Sequence, residues 1–177
     1  IWIGTYSEGV LHSSKFGGEF NFYDPRSALS SRIGSINCID YVNGIVWLGT
    51  EGGGILTYDT ASKRFSQYPC VAESHAPFRD NNVKSMLRKG DKLYAGLYSG
   101  WIYVMDVRTR KYVAKYHNPT DKPVSSLVEG KDGEIIIGTF GNHPVKVLKS
   151  NGTIEDYPCS ELDKLMEATC LTECLGR

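Results

Sequence analysis

The sequence predicts an all-β protein of four repeats, each folding as one sheet of four short antiparallel strands. Three observations lead to this fold class. A short motif, two mostly apolar residues followed by Gly and usually Thr, recurs with a period of about 45 residues. The chain has 19 Gly in 177 residues, and Gly permits the tight turns that short strands require. It also has 11 Tyr, 6 Phe and 3 Trp, which favour pleated sheets.

The motif sets the repeat length. Its four copies are anchored by glycines spaced 45, 47 and 42 residues apart: Gly4, Gly49, Gly96 and Gly138. Sixteen residues after each of these glycines stands a large apolar side chain: Phe20, Phe65, Tyr112 and Ile154. Self-similarity at a fixed period indicates structural units that bury their faces against one another.

Each repeat predicts four strands, named A to D in chain order. Strand A is expected at 35–41, 83–88, 124–128 and 168–174. Strand B carries the motif and is expected at 1–5, 45–50, 92–97 and 134–139. Strand C is expected at 9–13, 54–59, 101–106 and 145–149, and strand D at 19–23, 64–68, 112–116 and 153–157. Pairs such as Asn43-Gly44 and Asn151-Gly152 suit the hairpin turns between them, because both residues reach positive φ.

Four-stranded antiparallel units at this spacing are typical of a β-propeller, in which each sheet is a blade. We expect residues 1–177 to form a single propeller, with units at about 1–34, 35–82, 83–123 and 124–167. Residues 168–177 would start or close a further blade. The chain begins within strand B and without Met, which favours part of a larger propeller. Closure of a four-bladed ring by pairing the last strand A with the first strand B is the alternative.

Two features fall outside the strand pattern. Leu162, Leu165 and Met166 have helical spacing after Ser160, which predicts a short helix packed on a blade. The five cysteines include no C-x-x-C pair, so no zinc site is expected. Cys38 and Cys170 are interpreted as buried strand residues.

Composition and motifs exclude several function classes. Twenty basic and 20 acidic residues give a formal net charge of zero, which argues against nucleic-acid binding. No apolar run is long enough for direct membrane insertion. The triplet Gly52-Gly53-Gly54 lacks the rest of a phosphate-binding loop, and the four histidines have no metal-ligand spacing. We therefore predict no catalytic residue, no metal, no cofactor and no enzymatic activity.

Candidate binding residues come from propeller geometry, since the B–C and D–A loops share one face. The second residue after each anchoring glycine begins a B–C loop: Tyr6, Glu51, Tyr98 and Phe140. Aromatic rings there could stack on a sugar or peptide, and Glu51 could orient it. The long D–A loop at 69–82 adds His75, Phe78 and Arg79. The open alternatives are that the rings cap the blade ends and that the loop is a plain insertion.

Residues 45–59 resemble the two-component regulator propeller repeat, whose signature is W-[IL]-G-T followed by a Gly pair, an aliphatic residue and Tyr. The resemblance implies the periplasmic sensor part of a bacterial membrane histidine kinase, often responding to sugar-derived ligands. Residues 93–106 look more like a WD-type blade. That second resemblance implies a cytoplasmic protein-interaction platform in a multidomain signalling protein.

The leading hypothesis is a non-enzymatic recognition module within a larger sensor or signalling protein. Its loop face would bind a protein or a small carbohydrate or peptide ligand, and its other partner would be the rest of the polypeptide. A WD-like interaction platform is the alternative within this class. A propeller-fold hydrolase or lyase is the alternative from another class, because fold does not fix function.

Overall fold

The computed structural model of the protein describes residues 1–6, 9–13, 20–29, 33–70 and 81–172. Fifteen strands, all paired antiparallel, are assigned there. In chain order they are β1 (Trp2–Gly4), β2 (Val10–Ser13), β3 (Phe20–Tyr23), β4 (Ile36–Val42), β5 (Ile45–Thr50), β6 (Gly54–Asp59), β7 (Arg64–Tyr68), β8 (Val83–Lys89), β9 (Lys92–Leu97), β10 (Trp101–Asp106), β11 (Lys111–His117), β12 (Ser126–Glu129), β13 (Ile135–Gly138), β14 (Val145–Leu148) and β15 (Ile154–Asp156). Two short 3-10 helices cover Pro25–Ser27 and Ser160–Lys164.

The strands form four sheets, each following chain order. Blade 1 is the three-stranded sheet β1-β2-β3, and blades 2, 3 and 4 are the four-stranded sheets β4–β7, β8–β11 and β12–β15. The predicted propeller-blade fold class is confirmed. Five strands have the predicted limits to the residue: β5, β6, β7, β9 and β10.

The register places the anchoring glycines at equivalent positions. Each is paired across the B–C hairpin with a β-branched residue of strand C: Val10, Ile55, Ile102 and Val145. A register shift of one residue would turn every side chain of a strand to the other face. The equal register therefore gives each blade the same two faces.

The described residues divide into two compact units, Ile1–Val83 and Lys84–Arg177. In the first unit, blade 2 packs on blade 1. Val46, Leu48 and Leu56 of blade 2 are fully buried and share a cluster with Val10 of blade 1. Trp2 joins this cluster, with its ring centroid 6.2 Å from that of Tyr58.

The second unit repeats this arrangement with blades 3 and 4. Ile135, Ile137 and Leu148 of blade 4 are buried in one cluster with Ile102 of blade 3. Tyr94 packs against the same cluster from blade 3. Ile135 and Ile137 occupy the positions of Val46 and Leu48 in blade 2, so strand B supplies equivalent aliphatic side chains to the core of both units.

The anchoring glycines are required because the next segment of chain approaches too closely for a side chain. A Cβ on Gly96 would lie 2.3 Å from Val124 Cγ1, and one on Gly4 would lie 2.8 Å from Ile36 Cγ2. A Cβ on Gly49 would lie 2.7 Å from Val83 Cγ1, and one on Gly138 would lie 2.9 Å from Ala168 O. Each neighbour is the first apolar residue after a D–A connection.

The opposite face of blade 1 differs from its counterparts. Ile3, Leu11 and Phe22 are cross-strand neighbours on this face, which also includes Ile1. Ile1 is 75% exposed, Ile3 41% and Phe22 49%. The equivalent face of blade 2 is the buried one that contacts blade 1, so blade 1 presents an apolar stripe to solvent.

The short helix predicted at 160–167 is present in a shortened form, but its expected packing on a blade is wrong. Ser160–Lys164 forms a 3-10 helix whose N-cap is Cys159, with no side-chain capping hydrogen bond. Leu165 is 44% exposed and Met166 66% exposed, so the expected apolar face does not pack on a blade. Apolar residues spaced three to four positions apart stabilise an α-helix mainly when the apolar stripe that they form packs on another surface.

The interpretation of Cys170 as a buried strand residue is also wrong. Cys170 is exposed, and residues 168–172 form no strand. Ala168 N donates instead to Thr139 O, and Leu171 N donates to the Ser126 hydroxyl. Cys38 lies within β4 and is half-buried, and the four described cysteines form no disulfide with one another.

We expect Gly96→Ala to lower the free energy of unfolding by about 1–3 kcal/mol, because its methyl group would overlap Val124. Chemical denaturation measures this change. Val124→Ala is also destabilising, but the double variant should lose less than the sum of the two single losses, because the shorter side chain partly relieves the overlap. Strict additivity would contradict the close-approach explanation.

Candidate functional site

The candidate binding residues are found at the loop end of each blade, where strand B turns into strand C. Tyr6 and Glu51 follow β1 and β5 in the first unit, and Tyr98 and Phe140 follow β9 and β13 in the second. The geometry differs among the four positions.

Glu51 is held in a polar network at the loop end of blade 2. The Ser35 hydroxyl donates to Glu51 Oε2 at 3.0 Å, and Asn82 Nδ2 donates to Glu51 Oε1 at 3.4 Å. Asn37 extends the network: its Nδ2 donates to Asn82 Oδ1 at 3.3 Å, and its Oδ1, 3.1 Å from the Ser35 hydroxyl, is a second acceptor for the one proton of that hydroxyl. Ser35 and Asn82 are buried, so the carboxylate has a fixed position.

The backbone of Glu51 is fixed as well. Gly34 N donates to Glu51 O at 2.8 Å, and Glu51 N donates to Ser35 O at 2.9 Å. Both donors to its carboxylate are neutral side chains. This arrangement leaves a partly exposed negative charge that can accept further hydrogen bonds from a bound group.

Tyr6 is 84% exposed, more than any other large aromatic side chain whose exposure is given in the described part of the first unit. It follows Thr5, whose carbonyl accepts a hydrogen bond of 3.1 Å from Ile36 N. Ile36 is next to Ser35, so the chain at Tyr6 is connected by hydrogen bonds to the Glu51 network. A ring on a fixed backbone can stack on a ligand at little entropic cost.

In the second unit, Tyr98 lies at the loop end of blade 3 and is 44% exposed. Lys84 Nζ is 5.9 Å from its ring centroid, within the range of a cation–π contact. The neighbouring Leu97 carbonyl accepts from Val124 N at 3.0 Å, which fixes the backbone at this turn.

Sequence reasoning missed an aromatic group next to Tyr98. Trp101 begins β10 and stacks on His117, with centroids 4.3 Å apart. Lys115 Nζ lies 5.2 Å from the Trp101 ring, and His117 Nε2 lies 2.7 Å from Asp121 Oδ1. A sequence signal was available, because Trp101 stands where the blade 2 register has Gly54.

Phe140 fits the open alternative that a ring caps its blade. It is half-buried and forms an antiparallel bridge with Glu167. Gly141 N also donates to Met166 O at 2.7 Å. The predicted site residues His75, Phe78 and Arg79 lie outside the described part of the chain.

Several carboxylates are used by turns. Asp59 Oδ1 accepts from Ala61 N and Ser62 N, and Asp106 Oδ1 accepts from Arg108 N and Thr109 N. The Thr109 hydrogen bonds hold the pKa of Asp106 below its usual value. The described residues contain no group of three or more His, Cys, Asp or Glu placed to hold a metal ion. Nor do they contain a helix long and apolar enough to cross a membrane.

The sequence matches no known family model and no curated protein. Solved structures do match. The extracellular domain of the hybrid two-component system BT3049 from B. thetaiotaomicron has a TM-score of 0.71 and 16% identity, covering 95% of this chain and 22% of that one. The chain therefore spans about a fifth of that sensor domain.

Two further matches come from different functional classes. A chain of a mitotic checkpoint complex has a TM-score of 0.67 and 16% identity, covering 98% of this chain and 50% of that one. A streptogramin B lyase has a TM-score of 0.56 and 18% identity, covering 71% of this chain and 40% of that one. Likeness at this level of identity establishes a shared fold, and the same fold carries different functions.

We expect Glu51→Ala to lower the free energy of unfolding by about 1–3 kcal/mol, because the buried Ser35 and Asn82 lose an acceptor. Glu51→Gln keeps one acceptor oxygen and should cost less. Tyr6→Ala is the matched control from the same unit and should change stability by less than about 0.5 kcal/mol. Equal losses for Glu51→Ala and Tyr6→Ala in denaturation experiments would show that the network does not fix the carboxylate.

Proposed function

We propose that the chain is a non-catalytic recognition module, the propeller part of a larger sensor or signalling protein. It binds a protein segment or a small carbohydrate or peptide ligand at the loop ends of its blades. Aromatic side chains supply the contact area, and the Glu51 carboxylate supplies an oriented hydrogen-bond acceptor.

One observation carries this proposal. Tyr6 and Tyr98, at the same repeat position in different units, both present exposed rings, and each follows a residue whose backbone carbonyl accepts a hydrogen bond from the next blade. Exposed large aromatic side chains on a rigid scaffold are characteristic of binding surfaces. Trp101 and His117 enlarge the aromatic surface at the loop end of blade 3.

The comparisons support the sensor assignment through the BT3049 domain and the sequence resemblance to the two-component regulator repeat. They support the alternative of an intracellular interaction platform through the checkpoint-complex chain. Both candidates use the same surface. They differ in compartment and in the rest of the polypeptide.

We expect Tyr6→Ala to weaken ligand binding at the loop end of blade 1, and Tyr98→Ala to weaken ligand binding at the loop end of blade 3, each about tenfold or more, because each variant removes a stacking ring. The chain is first screened against a random peptide display library and an oligosaccharide panel. The affinity of each ligand found is then measured by calorimetry for the variants.

Tyr41→Ala is the matched control. Tyr41 is 51% exposed, but it lies at the opposite end of blade 2, beside the Asn43-Gly44 turn. Its replacement should leave affinity unchanged. Ligands that lose affinity with Tyr41→Ala and keep it with Tyr6→Ala and Tyr98→Ala would overturn the assignment of the loop ends. A fall in melting temperature for Tyr98→Ala comparable to that of Gly96→Ala would assign the ring to the core instead.

A further inference from the structure

Two turns of the structure carry the same Asn-Gly pair. Asn43-Gly44 joins β4 to β5, and Asn151-Gly152 joins β14 to β15. An Asn that precedes Gly can cyclise, because the absence of a side chain on Gly lets the next backbone nitrogen reach the Asn Cγ atom. Both asparagines are exposed. Sequence and exposure alone therefore do not distinguish the two turns as sites of this reaction.

The turn at Asn151 is held by hydrogen bonds at both atoms that would react. Asn151 Oδ1 accepts from Thr153 N at 3.0 Å and from the Thr153 hydroxyl at 2.8 Å. Gly152 N, the nitrogen that would attack, donates to Lys149 O at 2.9 Å. Cyclisation here has to break the Gly152 hydrogen bond and turn the carboxamide away from Thr153, and both changes cost free energy.

The turn at Asn43 lacks these restraints. Within the described residues, the Asn43 carboxamide forms no hydrogen bond, and neither Asn43 O nor Gly44 N takes part in a backbone hydrogen bond. Asn43 and Gly44 have φ angles of 49° and 79°, as in a two-residue hairpin turn. The carboxamide and the nitrogen that have to meet can therefore do so without the loss of a hydrogen bond.

The rest of the Asn43 turn is anchored. Gly44 O accepts from Thr60 N at 2.9 Å and from the Thr60 hydroxyl at 2.8 Å. Val42 and Ile45, on either side of the turn, are paired in the β4–β5 register. The hairpin stays closed around a central peptide group that makes no hydrogen bond, so reaction at Asn43 does not require blade 2 to unfold.

We propose that Asn43 is a site of spontaneous deamidation in the folded protein and that Asn151 is protected by its hydrogen bonds. Gly44 N loses its proton to solvent base and attacks Asn43 Cγ. The N–Cγ bond forms, the Cγ–Nδ2 bond breaks, and the nitrogen that leaves takes up a proton to become ammonia. Water then opens the succinimide at either carbonyl and yields aspartate or isoaspartate at position 43. A neutral carboxamide is thus replaced by a carboxylate, with no change of oxidation state.

The test follows both turns in the whole folded chain during incubation at mildly alkaline pH. Peptide mapping by mass spectrometry measures deamidation at each Asn and separates aspartate from isoaspartate. We expect Asn43 to react about tenfold faster than Asn151, because the hydrogen bonds of the second turn raise its barrier. In urea, where neither turn is formed, the two pairs should react at similar rates.

Thr153→Val removes the hydroxyl donor at the protected turn and should raise the rate at Asn151 about threefold or more. Asn43→Gln is the control for the other turn, because Gln closes a larger ring more slowly. It should abolish the reaction at position 43 and leave the rate at Asn151 unchanged. Both substitutions are at exposed positions, so the variants should fold, which circular dichroism verifies.

Equal rates at the two sites of the folded chain, no reaction at Asn43, or a rate difference that persists in urea would each overturn the proposal. An unchanged rate at Asn151 in Thr153→Val would overturn the explanation by hydrogen bonds. The result is independent of binding at the loop ends, since Asn43 lies at the opposite end of blade 2 from Glu51.

Discussion

The close approach of each anchoring glycine to the chain segment that follows the next D–A connection is the constraint on which the structure depends. With no side chain on Gly4, Gly49, Gly96 or Gly138, the next segment can pass within van der Waals distance of the sheet. Sheets that approach so closely exclude water and bury their aliphatic rows, which supplies the main stabilising free energy. A residue with a Cβ at one of these four positions would push the neighbouring chain segment away from the sheet and leave voids between them.

Polar side chains reinforce the same contacts. Asn37 Nδ2 donates to Val83 O at 2.8 Å, and the Ser85 hydroxyl donates to Val124 O at 3.0 Å. The Ser125 hydroxyl donates to Ala168 O in the same way. The accepting residues are the very neighbours of the anchoring glycines. Each contact therefore combines a close apolar approach with a hydrogen bond that fixes the position of the incoming strand.

Periodicity made the fold predictable, because the same residue types recur at fixed offsets and the strand limits follow from them. Local patterns failed where the outcome depended on distant contacts. The spacing of Leu162, Leu165 and Met166 suggested a helix, yet no surface buries that stripe. The candidate site was predictable in position only. Glu51 depends on Ser35 and Asn82, residues 16 and 31 positions away, and nothing in the repeat indicates that network.

The apolar stripe of Ile1, Ile3 and Phe22 on blade 1 has a practical consequence. The equivalent face of blade 2 is buried, whereas this row is exposed. The protein purified by itself is therefore expected to self-associate through it. Its self-association would strengthen with warming and with sulfate salts, both of which favour removal of apolar surface from water. Purification of this segment alone is thus best carried out cold, dilute and at low salt.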